Sequence, residues 1–379
     1  MDEGRRQMGW NADTKALPYV FRIYEDEKSC GDKIRDCDVL ILGWTGQDKD
    51  SPSERLIRQR LDQGKPVIRV SERIYREGRW KAISPRGLKA KYEEHIKYRN
   101  SPVYMLCAGA YVSGDFKLIG AYPGKLFKWG YFPPLKRYSE DELSNMLYKD
   151  GEKLRICFAA RLIKLKHPEL SLEVAGYFKK KNIDFHLDIV GDGPLSSGLK
   201  EMIKDKALEE YVTMHGAVPP EKVRGIMEKS HLFIFASNYL EGWGAVVNEA
   251  MNSACAVVAS SEAGAVPYLI KDGENGLTFD DCDKDKLLGK IDELLEEADK
   301  KNGSYMVRAD YVRCLQKKAY LAIADTWNAG VAAKRLLEFS ECIIKNKDFK
   351  NPDDGPLSKA LVLKAPGIRR TLKEDNHLE

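Results

Sequence analysis

The stretch from Leu154 to Ser260 alternates short apolar runs with helical patterns, and this alternation limits the fold more than any other feature. Runs rich in β-branched and aromatic residues predict strands at 154–160, 185–191, 212–216, 231–237 and 256–260. Helical patterns fall between them, near 168–181, 195–206, 219–229 and 245–252. Strands and helices in such alternation predict a parallel, doubly wound α/β sheet, in which ligands bind at the carboxyl ends of the strands.

One strand–loop–helix unit of this sheet has the features of an anion-binding site. The predicted strand is followed by Gly242 and Gly244, and the residues from Ala245 to Asn252 have helical composition. Loop amides and the positive end of the helix dipole would both face a ligand above the strand. Two carboxylates, Glu241 and Glu249, flank the turn. A ligand that carries both a diphosphate and hydroxyl groups would use both features, which predicts a nucleotide sugar.

This unit, written EGWGAVVNEAM, resembles the Glu-x7-Glu signature of the retaining glycosyltransferases of family 4, also called group 1. Upstream, CFAARLIKLKHPELSLEVA resembles the family's strand and Gly-Arg-Leu-x-x-x-Lys, with Ala160 replacing the glycine. LDIVGDGPL, MHGAVPPEKV and GAVPYLIKDGENGLTF resemble three further family segments in order, whereas Ala254-Cys-Ala256 departs from the family's Gly-x-Pro. The resemblance covers 154–279 and implies the GT-B fold, two Rossmann-like doubly wound domains that face each other across a cleft.

The resemblance also implies a donor site. Arg161 and Lys166 would place fixed positive charges beside the leaving phosphate, which an enzyme without a metal requires. Glu249 would accept hydrogen bonds from the ribose hydroxyls, and Glu241 would position the sugar and stabilise charge. Val218 could meet the base. The other expected donor contacts are Gly191, Asp192, Gly193, Gly242, Trp243, Gly244, Ala245 and Val246.

The N-terminal third is also α/β, with predicted strands at 38–44, 66–71 and 103–108 and predicted helices at 52–63 and 87–100. Ser71, Glu72 and Arg73 follow one strand, and they resemble a Ser-Glu-Arg in the acceptor domain of some family members. The first 17 residues are polar, where a doubly wound domain normally opens with a strand and a glycine-bearing loop. Measured against the family, the N-terminal domain is short by about one βα unit, on the order of 30 residues. We expect a natural start further upstream rather than a reduced sheet.

The expected organisation is an acceptor-side domain at 1–135, a linker at 136–153 and the donor domain at 154–325. The aromatic and proline-rich residues 124–135 are interpreted as the exit from the first domain. Residues 285–301 and 306–324 predict helices, and 326–344 predicts an amphipathic helix that in GT-B proteins crosses back onto the first domain. From 345 onward, prolines and many charges predict a poorly ordered tail. His215 and His231 are expected in the core and His95 on a helix surface.

Composition narrows the classes of partner. A net charge of +4 over 379 residues is too small to indicate nucleic acid, although clustered basic residues would permit peripheral attraction to an anionic membrane. Eight cysteines without Cys-x-x-Cys spacing predict buried free thiols in a reducing cytoplasm. We therefore expect a cytoplasmic protein, and any membrane association would be peripheral, on the inner face. We expect no metal and no cofactor, because the acidic loop 280–285 is interpreted as a solvated turn before a helix.

The sequence thus predicts a retaining glycosyltransferase with a nucleotide diphosphate sugar, expected to be a UDP-sugar, as its donor. Its acceptor would be a saccharide or a lipid-linked saccharide, in the assembly of cell-surface polysaccharide. Two alternatives stay open. A nucleotide-sugar epimerase of the same architecture would need no acceptor, and a non-catalytic nucleotide-sugar-binding subunit would bind the donor without turnover.

Overall fold

A computed structural model describes residues 17–21, 23, 25–43, 52–76, 84–299 and 304–366. The polar N-terminus, Trp44 at the end of the first predicted strand and the last part of the predicted tail lie outside these residues. Within them the chain forms two parallel sheets and one small antiparallel hairpin. The architecture is α/β, as the alternation of strands and helices predicts.

The N-terminal sheet has four parallel strands that lie side by side in chain order. They are β1 (Leu40–Leu42), β2 (Val67–Ser71), β3 (Val103–Ala108) and β4 (Leu126–Trp129). Its helices are α1 (Glu27–Asp36), α2 (Pro52–Asp62), α3 (Pro85–Glu94) and α4 (Val112–Leu118). The interpretation of 124–135 as a domain exit missed β4, which pairs with β3. Among the described strands the order never reverses, so this sheet corresponds to one half of a doubly wound arrangement.

His95 is buried in this domain, and its prediction as a helix-surface residue is wrong. The helix ends at Glu94, so the periodicity that predicted a helix through Asn100 does not continue. The His95 Nδ1 atom lies 2.8 Å from the Tyr122 hydroxyl oxygen. Its ring also meets the edge of Phe116 at 5.1 Å between centroids. Burial and the neighbouring Arg69 hold the pKa of His95 well below its ordinary value.

The C-terminal sheet has six parallel strands in the order β10-β9-β8-β5-β6-β7. They are β5 (Leu154–Ala159), β6 (Phe185–Val190), β7 (Val212–Gly216), β8 (Leu232–Phe235), β9 (Ala256–Ser260) and β10 (Leu277–Phe279). All four residues of β8 and all five of β9 are buried, which is typical of strands covered on both faces. The strand order reverses between β5 and β8. Ligands of open α/β sheets bind at such a reversal, above the carboxyl ends of the strands.

Helices cover the C-terminal sheet, and one predicted helix is partly wrong. They are α5 (Glu140–Met146), α6 (Glu169–Lys180), α7 (Ser196–Asp205), α8 (Pro220–Met227), α9 (Ala245–Asn252), α10 (Val266–Leu269), α11 (Lys284–Asp292) and α12 (Ala309–Leu321). Instead of continuing to 301, the chain leaves α11 and forms the hairpin β11 (Leu295–Asp299) and β12 (Ser304–Val307). Leu295 and Val307 are paired and buried, and this tertiary packing overrides the helical composition.

The last described part of the chain returns to the N-terminal sheet. Helix α13 (Ala329–Ile344) packs there through Phe339, whose ring lies 4.9 Å from that of Phe127. Residues 354–366, here called the strap, then run along β4. The Leu357 amide donates to the Lys128 carbonyl at 2.8 Å, and the Lys128 amide donates to the Ser358 carbonyl at 2.8 Å. The prediction of a poorly ordered tail is therefore wrong for 345–366, because the strap covers an open sheet edge.

Two further expectations concern the whole chain. None of the eight cysteines, all of which lie in the described part of the chain, forms a disulfide, and Cys314 is exposed rather than buried. No helix in the described part of the chain is long and apolar enough to cross a membrane.

Candidate active site

The loops that follow β5 and β8 meet at the reversal of strand order in the C-terminal sheet. Lys166 in the first loop forms an ion pair with Glu241 in the second, and each side chain is about one-sixth exposed, at 15% and 16%. The Asn238 amide also donates to the Leu165 carbonyl at 2.9 Å. The structure therefore brings together two of the three predicted catalytic side chains at the place where this fold binds ligands.

The third predicted catalytic residue, Arg161, lies in the same loop as Lys166 and is exposed. Within the described residues its guanidinium makes no hydrogen bond or ion pair. A free guanidinium offers two parallel N–H groups to a phosphate, whereas Lys166 offers a point charge. Of these two cations, Lys166 is already paired with a carboxylate and Arg161 is not, within the described residues.

Gly191 and Gly193 let the loop after β6 fit against the loop after β5. A Cβ atom at Gly191 would lie 1.9 Å from the Ala160 carbonyl oxygen, and one at Gly193 would lie 2.5 Å from the Leu162 carbonyl oxygen. The Leu162 amide donates to the Asp192 carbonyl at 2.9 Å. Glycine is therefore required here by the neighbouring loop, and not only by the approach of a nucleotide that the sequence suggested.

The Asp192 side chain holds this loop in shape. It accepts hydrogen bonds from the Ser196 hydroxyl at 2.6 Å and from the Gly193 amide at 2.7 Å. These two bonds lower the pKa of Asp192, and the bond from Ser196 has the larger effect. Asp192 therefore serves the turn itself, and its predicted contact with a donor stays a prediction.

The turn before α9 presents backbone amides. Gly244 is the N-cap residue, with φ of 93°, and the Phe235 ring would lie 2.7 Å from a Cβ atom at that position. Glycine has no side chain that could cap the helix, so the first-turn amides at Ala245 and Val246 remain available as donors. Amides at a helix N-terminus bind phosphate groups, which fits the predicted role of this turn.

Trp243 is the predicted donor contact whose side chain faces elsewhere. Its indole is buried and donates to the Asn248 side-chain oxygen at 2.8 Å. The ring packs near Trp327 at 6.1 Å between centroids, and it fills the space where Gly130 has no side chain. Trp243 therefore joins the donor domain to the segment after β4, and only its backbone remains for a donor contact.

Two other predicted donor residues, Glu249 and Val218, have no described hydrogen bond or ion pair with Lys166 or Glu241. Glu249 is half-buried on α9, and burial raises its pKa while the nearby Arg224 opposes that shift. Val218 lines a groove of about 960 Å³ together with His215 and Lys222, and this lining includes neither Lys166 nor Glu241. No contact of either residue shows what it would bind, so both roles stay predictions. The prediction of His215 as a core residue is wrong, because its side chain leaves the edge strand β7 toward this groove and the residue is exposed.

Of the three predicted acceptor-side residues, only Glu72 reaches the donor loop. A Cβ atom at Gly242 would lie 2.5 Å from its Oε2 atom. Arg73 turns into its own domain and pairs with the buried Asp115 at 3.4 Å. The Ser71 hydroxyl donates to the Glu72 carbonyl at 2.8 Å. Arg73 and Ser71 therefore stabilise the strand end, and the structure gives them no contact with the site.

Sequence reasoning missed several residues at this junction. Arg76 forms an ion pair with Glu72 and donates to the Leu240 carbonyl at 3.1 Å, and Tyr131 donates a hydrogen bond to Glu72. Glu262 is buried just after β9 and accepts from the Tyr239 amide at 3.2 Å. Its place directly behind a predicted strand could have identified it. The long-range contact of Arg76 leaves no sequence signal.

No group of three or more His, Cys, Asp or Glu side chains that could hold a metal ion occurs among the described residues. In the acidic loop, Ser261 donates a hydrogen bond to Asp280, and Lys286 pairs with Asp281 at 2.7 Å.

Comparisons with known proteins concern the family and the fold of this chain. Residues 139–307 match the family described as glycosyl transferases group 1. The amylovoran biosynthesis glycosyltransferase AmsK of Erwinia amylovora is 30% identical over 144 residues, which are 36% of this chain and 35% of that protein. A GDP-mannose-dependent alpha-(1-6)-phosphatidylinositol monomannoside mannosyltransferase of Mycolicibacterium smegmatis is 27% identical over 157 residues, 40% of this chain and 41% of that protein. The chain thus spans about a third to two-fifths of the length of these relatives.

Solved structures extend the similarity in fold to most of the chain. A glycosyltransferase from Rickettsia africae has a TM-score of 0.58 at 18% identity, covering 89% of this chain and 84% of that one. HepE from Anabaena, solved with UDP and glucose, has a TM-score of 0.54 at 13% identity, covering 83% and 80%. These neighbours are GT-B proteins, so the predicted fold is confirmed. Residues 139–307 are a group 1 glycosyltransferase domain, carried within a chain of GT-B fold.

Proposed function

We propose that this chain is a retaining glycosyltransferase of family 4 that transfers a sugar from a UDP-sugar to a saccharide or lipid-linked saccharide acceptor. The observation that carries the proposal is the Lys166–Glu241 ion pair, which lies at the reversal of strand order. Arg161 and the uncapped amides of the α9 turn lie on the same loops. This set of groups suits a ligand with both a diphosphate and hydroxyl groups.

The ion pair suggests how a donor would enter. Without a ligand, Lys166 and Glu241 neutralise each other at a partly buried place, where an unpaired charge would be costly. A diphosphate would take over Lys166 and would leave Glu241 to accept hydrogen bonds from sugar hydroxyls. Breaking the sugar–phosphate bond develops negative charge on the leaving phosphate, and Arg161 and Lys166 would stabilise it.

Retention requires the acceptor to attack from the face that the phosphate leaves. We propose that the leaving phosphate takes the acceptor proton, because Glu241, once a diphosphate has taken over Lys166, would be occupied by the sugar hydroxyls and is better suited to positioning than to proton transfer. Glu72 lies against Gly242 from the N-terminal domain, and it is the residue that we propose for contact with the acceptor.

Our proposal of UDP and of a saccharide acceptor is supported by the similarity of this chain to known proteins. HepE was solved with UDP and glucose, and TarM of Staphylococcus aureus was solved with UDP, whereas the mycobacterial relative depends on GDP-mannose. The relative from Erwinia acts in amylovoran biosynthesis, which favours a polysaccharide product. A nucleotide panel must therefore come before a sugar panel.

The test is calorimetric titration of UDP, GDP and ADP into the wild-type protein and into an Arg161→Ala, Lys166→Ala double variant. Each lost charge-assisted hydrogen bond should cost about 1.5–3 kcal/mol, so the double variant should lose measurable binding. Lys164→Ala is the matched control, because Lys164 is an exposed lysine on the same short turn as Lys166.

We expect one nucleotide to bind the wild type and the Lys164 variant and to fail with the double variant. Equal binding by all three proteins would place the nucleotide elsewhere and would overturn the assignment of the site. Incubation with the matching nucleotide sugars then separates the reactions. Transfer that depends on an acceptor supports the proposal, and conversion of the donor sugar without an acceptor would indicate an epimerase.

A further inference from the structure

The strap and α4 form an exposed face on the N-terminal domain that the proposed reaction does not use. We call it the basic–apolar face, and it consists of Lys117, Leu118, Lys359, Leu361, Val362 and Lys364. All six side chains are exposed. Leu361 is 68% exposed, Leu118 48% and Val362 47%.

The residues of this face lie on segments that are joined by hydrogen bonds. The Ser113 hydroxyl of α4 donates to the Leu361 carbonyl at 2.6 Å. Lys117 lies one helical turn beyond Ser113 on the same side of α4, and Leu118 is next to it. At the other end of the face, the Lys359 ammonium donates to the Gly124 carbonyl at 2.8 Å. The strap is thus fixed to α4 and to the turn before β4, and the face is one surface.

The exposed charges of the face, on α4 and on the strap, are all positive. Residues 112–131 contain one acidic residue, Asp115, which is buried against Arg73, and residues 355–366 contain none. Asp354, which precedes the second segment, is paired with Lys128 at 2.8 Å. Lys117, Lys359 and Lys364 make no ion pair with any described residue. Their charges are therefore not neutralised by neighbouring carboxylates within the described structure.

Lys359 shows that the charge remains at the surface despite its contacts. Its ammonium group lies 4.5 Å from the centroid of the Phe127 ring, and burial lowers its pKa. Its hydrogen-bond partner, the Gly124 carbonyl, is uncharged. Neither contact cancels the positive charge, so the lysine still contributes to the field above the face.

We propose that the basic–apolar face docks the protein on the surface of a lipid bilayer that contains anionic headgroups. Single exposed apolar residues are ordinary, but three of them on two joined segments, with unpaired lysines and no exposed acid in residues 112–131 and 355–366, have the composition of surfaces that lie on membranes. Lysines would attract the anionic headgroups, and the leucine and valine side chains would enter the acyl boundary. The inference goes beyond the proposed function and does not depend on it.

The test is co-sedimentation of the full chain with vesicles of phosphatidylcholine, with or without phosphatidylglycerol. We expect binding only when phosphatidylglycerol is present, and weaker binding as salt is raised. A Lys117→Gln, Lys359→Gln, Lys364→Gln variant should bind on the order of a hundredfold more weakly, since each lysine contributes about fivefold. A Leu361→Ser, Val362→Ser variant should also bind more weakly while keeping the full charge.

The matched control is a Lys180→Gln, Lys200→Gln, Lys204→Gln variant, which removes the same charge from exposed lysines of the donor domain. It should bind vesicles like the wild type. Nucleotide titration and thermal unfolding of every variant would show that the exposed substitutions leave the fold and the donor site unchanged.

Three results would overturn the proposal. One is the absence of binding to anionic vesicles by folded protein. Another is an equal loss of vesicle binding in the control variant and in the Lys117, Lys359, Lys364 variant, since binding would then depend on net charge alone. The third is a combination of two findings: the protein binds a soluble polyanion such as dextran sulfate as strongly as it binds anionic vesicles, and the Leu361 and Val362 substitutions leave vesicle binding unchanged. This result would show that the face binds polyanions in general and not a bilayer.

Discussion

At the level of single residues, the donor loops fit together because two positions in the loop after β6 have no side chain. Gly191 and Gly193 have φ values of 132° and 159°, and the carbonyl oxygens of the neighbouring loop occupy the space where a Cβ atom would lie. Lys166 is positioned by the same neighbouring loop. The backbone fit at Gly191 and Gly193 therefore helps to fix the position of the Lys166 charge.

We predict that Gly191→Ala weakens nucleotide binding and destabilises the protein by about 1–3 kcal/mol, because φ is unfavourable and the Cβ atom would lie 1.9 Å from a carbonyl oxygen. The control is Gly198→Ala on α7, where nothing lies within 4 Å of the added Cβ atom. That change should be neutral or stabilising, by up to about 1 kcal/mol. Urea unfolding and nucleotide titration measure both effects. Unchanged binding and stability in the Gly191 variant would show that the two loops can separate without cost.

Sequence motifs assigned Lys166 and Glu241 to one predicted site, and the structure brings the two side chains together because both follow strands whose carboxyl ends share one edge of the sheet. They could not predict that Trp243 turns its ring toward Gly130. A motif specifies residue types along the chain, whereas the direction of a side chain depends on what a distant segment leaves open. The same reason explains why Arg73 faces Asp115 and Glu72 faces the donor loop.

At the level of elements, five of the six strands of the C-terminal sheet were predictable because each is a short, mainly apolar run next to a helical pattern, whereas the three-residue strand β10 was not predicted. The hairpin β11–β12 and the strap were not. Both contain charged residues and gain their structure from a partner that lies outside the local sequence. Leu357, for example, has no periodic neighbours in the sequence, yet it packs with Phe127 and Phe339.

We predict that Leu357→Ala lowers the free energy of unfolding by about 2–5 kcal/mol, the usual cost of a cavity at a fully buried leucine. The matched control is Leu361→Ala in the same strap, whose side chain is exposed and whose loss should change stability by less than about 0.5 kcal/mol. Urea unfolding followed by tryptophan fluorescence compares the two. Equal stability of both variants would mean that the strap detaches without consequence for the N-terminal sheet.

At the level of the whole molecule, the two domains meet through the carboxyl ends of their sheets. The Ala110 amide donates to the Gly264 carbonyl at 2.9 Å, and the Tyr111 hydroxyl donates to the Ser261 carbonyl at 2.6 Å. Each domain also contains a buried histidine, His95 in the first and His231 in the second. The stability of both domains should therefore respond to the same change of pH.

His231 is held neutral by its surroundings. Its Nδ1 atom accepts from the Arg155 amide at 3.1 Å, and its Nε2 atom lies 3.2 Å from a Glu152 carboxylate oxygen. Burial lowers its pKa to about 4, although Glu152 opposes the shift. His95 shifts in the same direction, chiefly through burial. An unfolded histidine titrates near 6.5, so between these values the unfolded chain binds more protons than the native one.

We predict that the free energy of unfolding falls as the pH is lowered from about 6.5 toward 4, by up to about 1.4 kcal/mol per pH unit for each histidine. Above about pH 7 both rings are neutral in the folded and unfolded states, so they add no slope there. His231→Gln should remove up to one proton from the slope between pH 6.5 and 4.5, and measurements at pH 8 give the cost of the substitution itself. Urea unfolding over this pH series is the measurement. A slope that is the same in the variant and the wild type would show that His231 takes up its proton without unfolding, and that the acid sensitivity of the chain arises elsewhere.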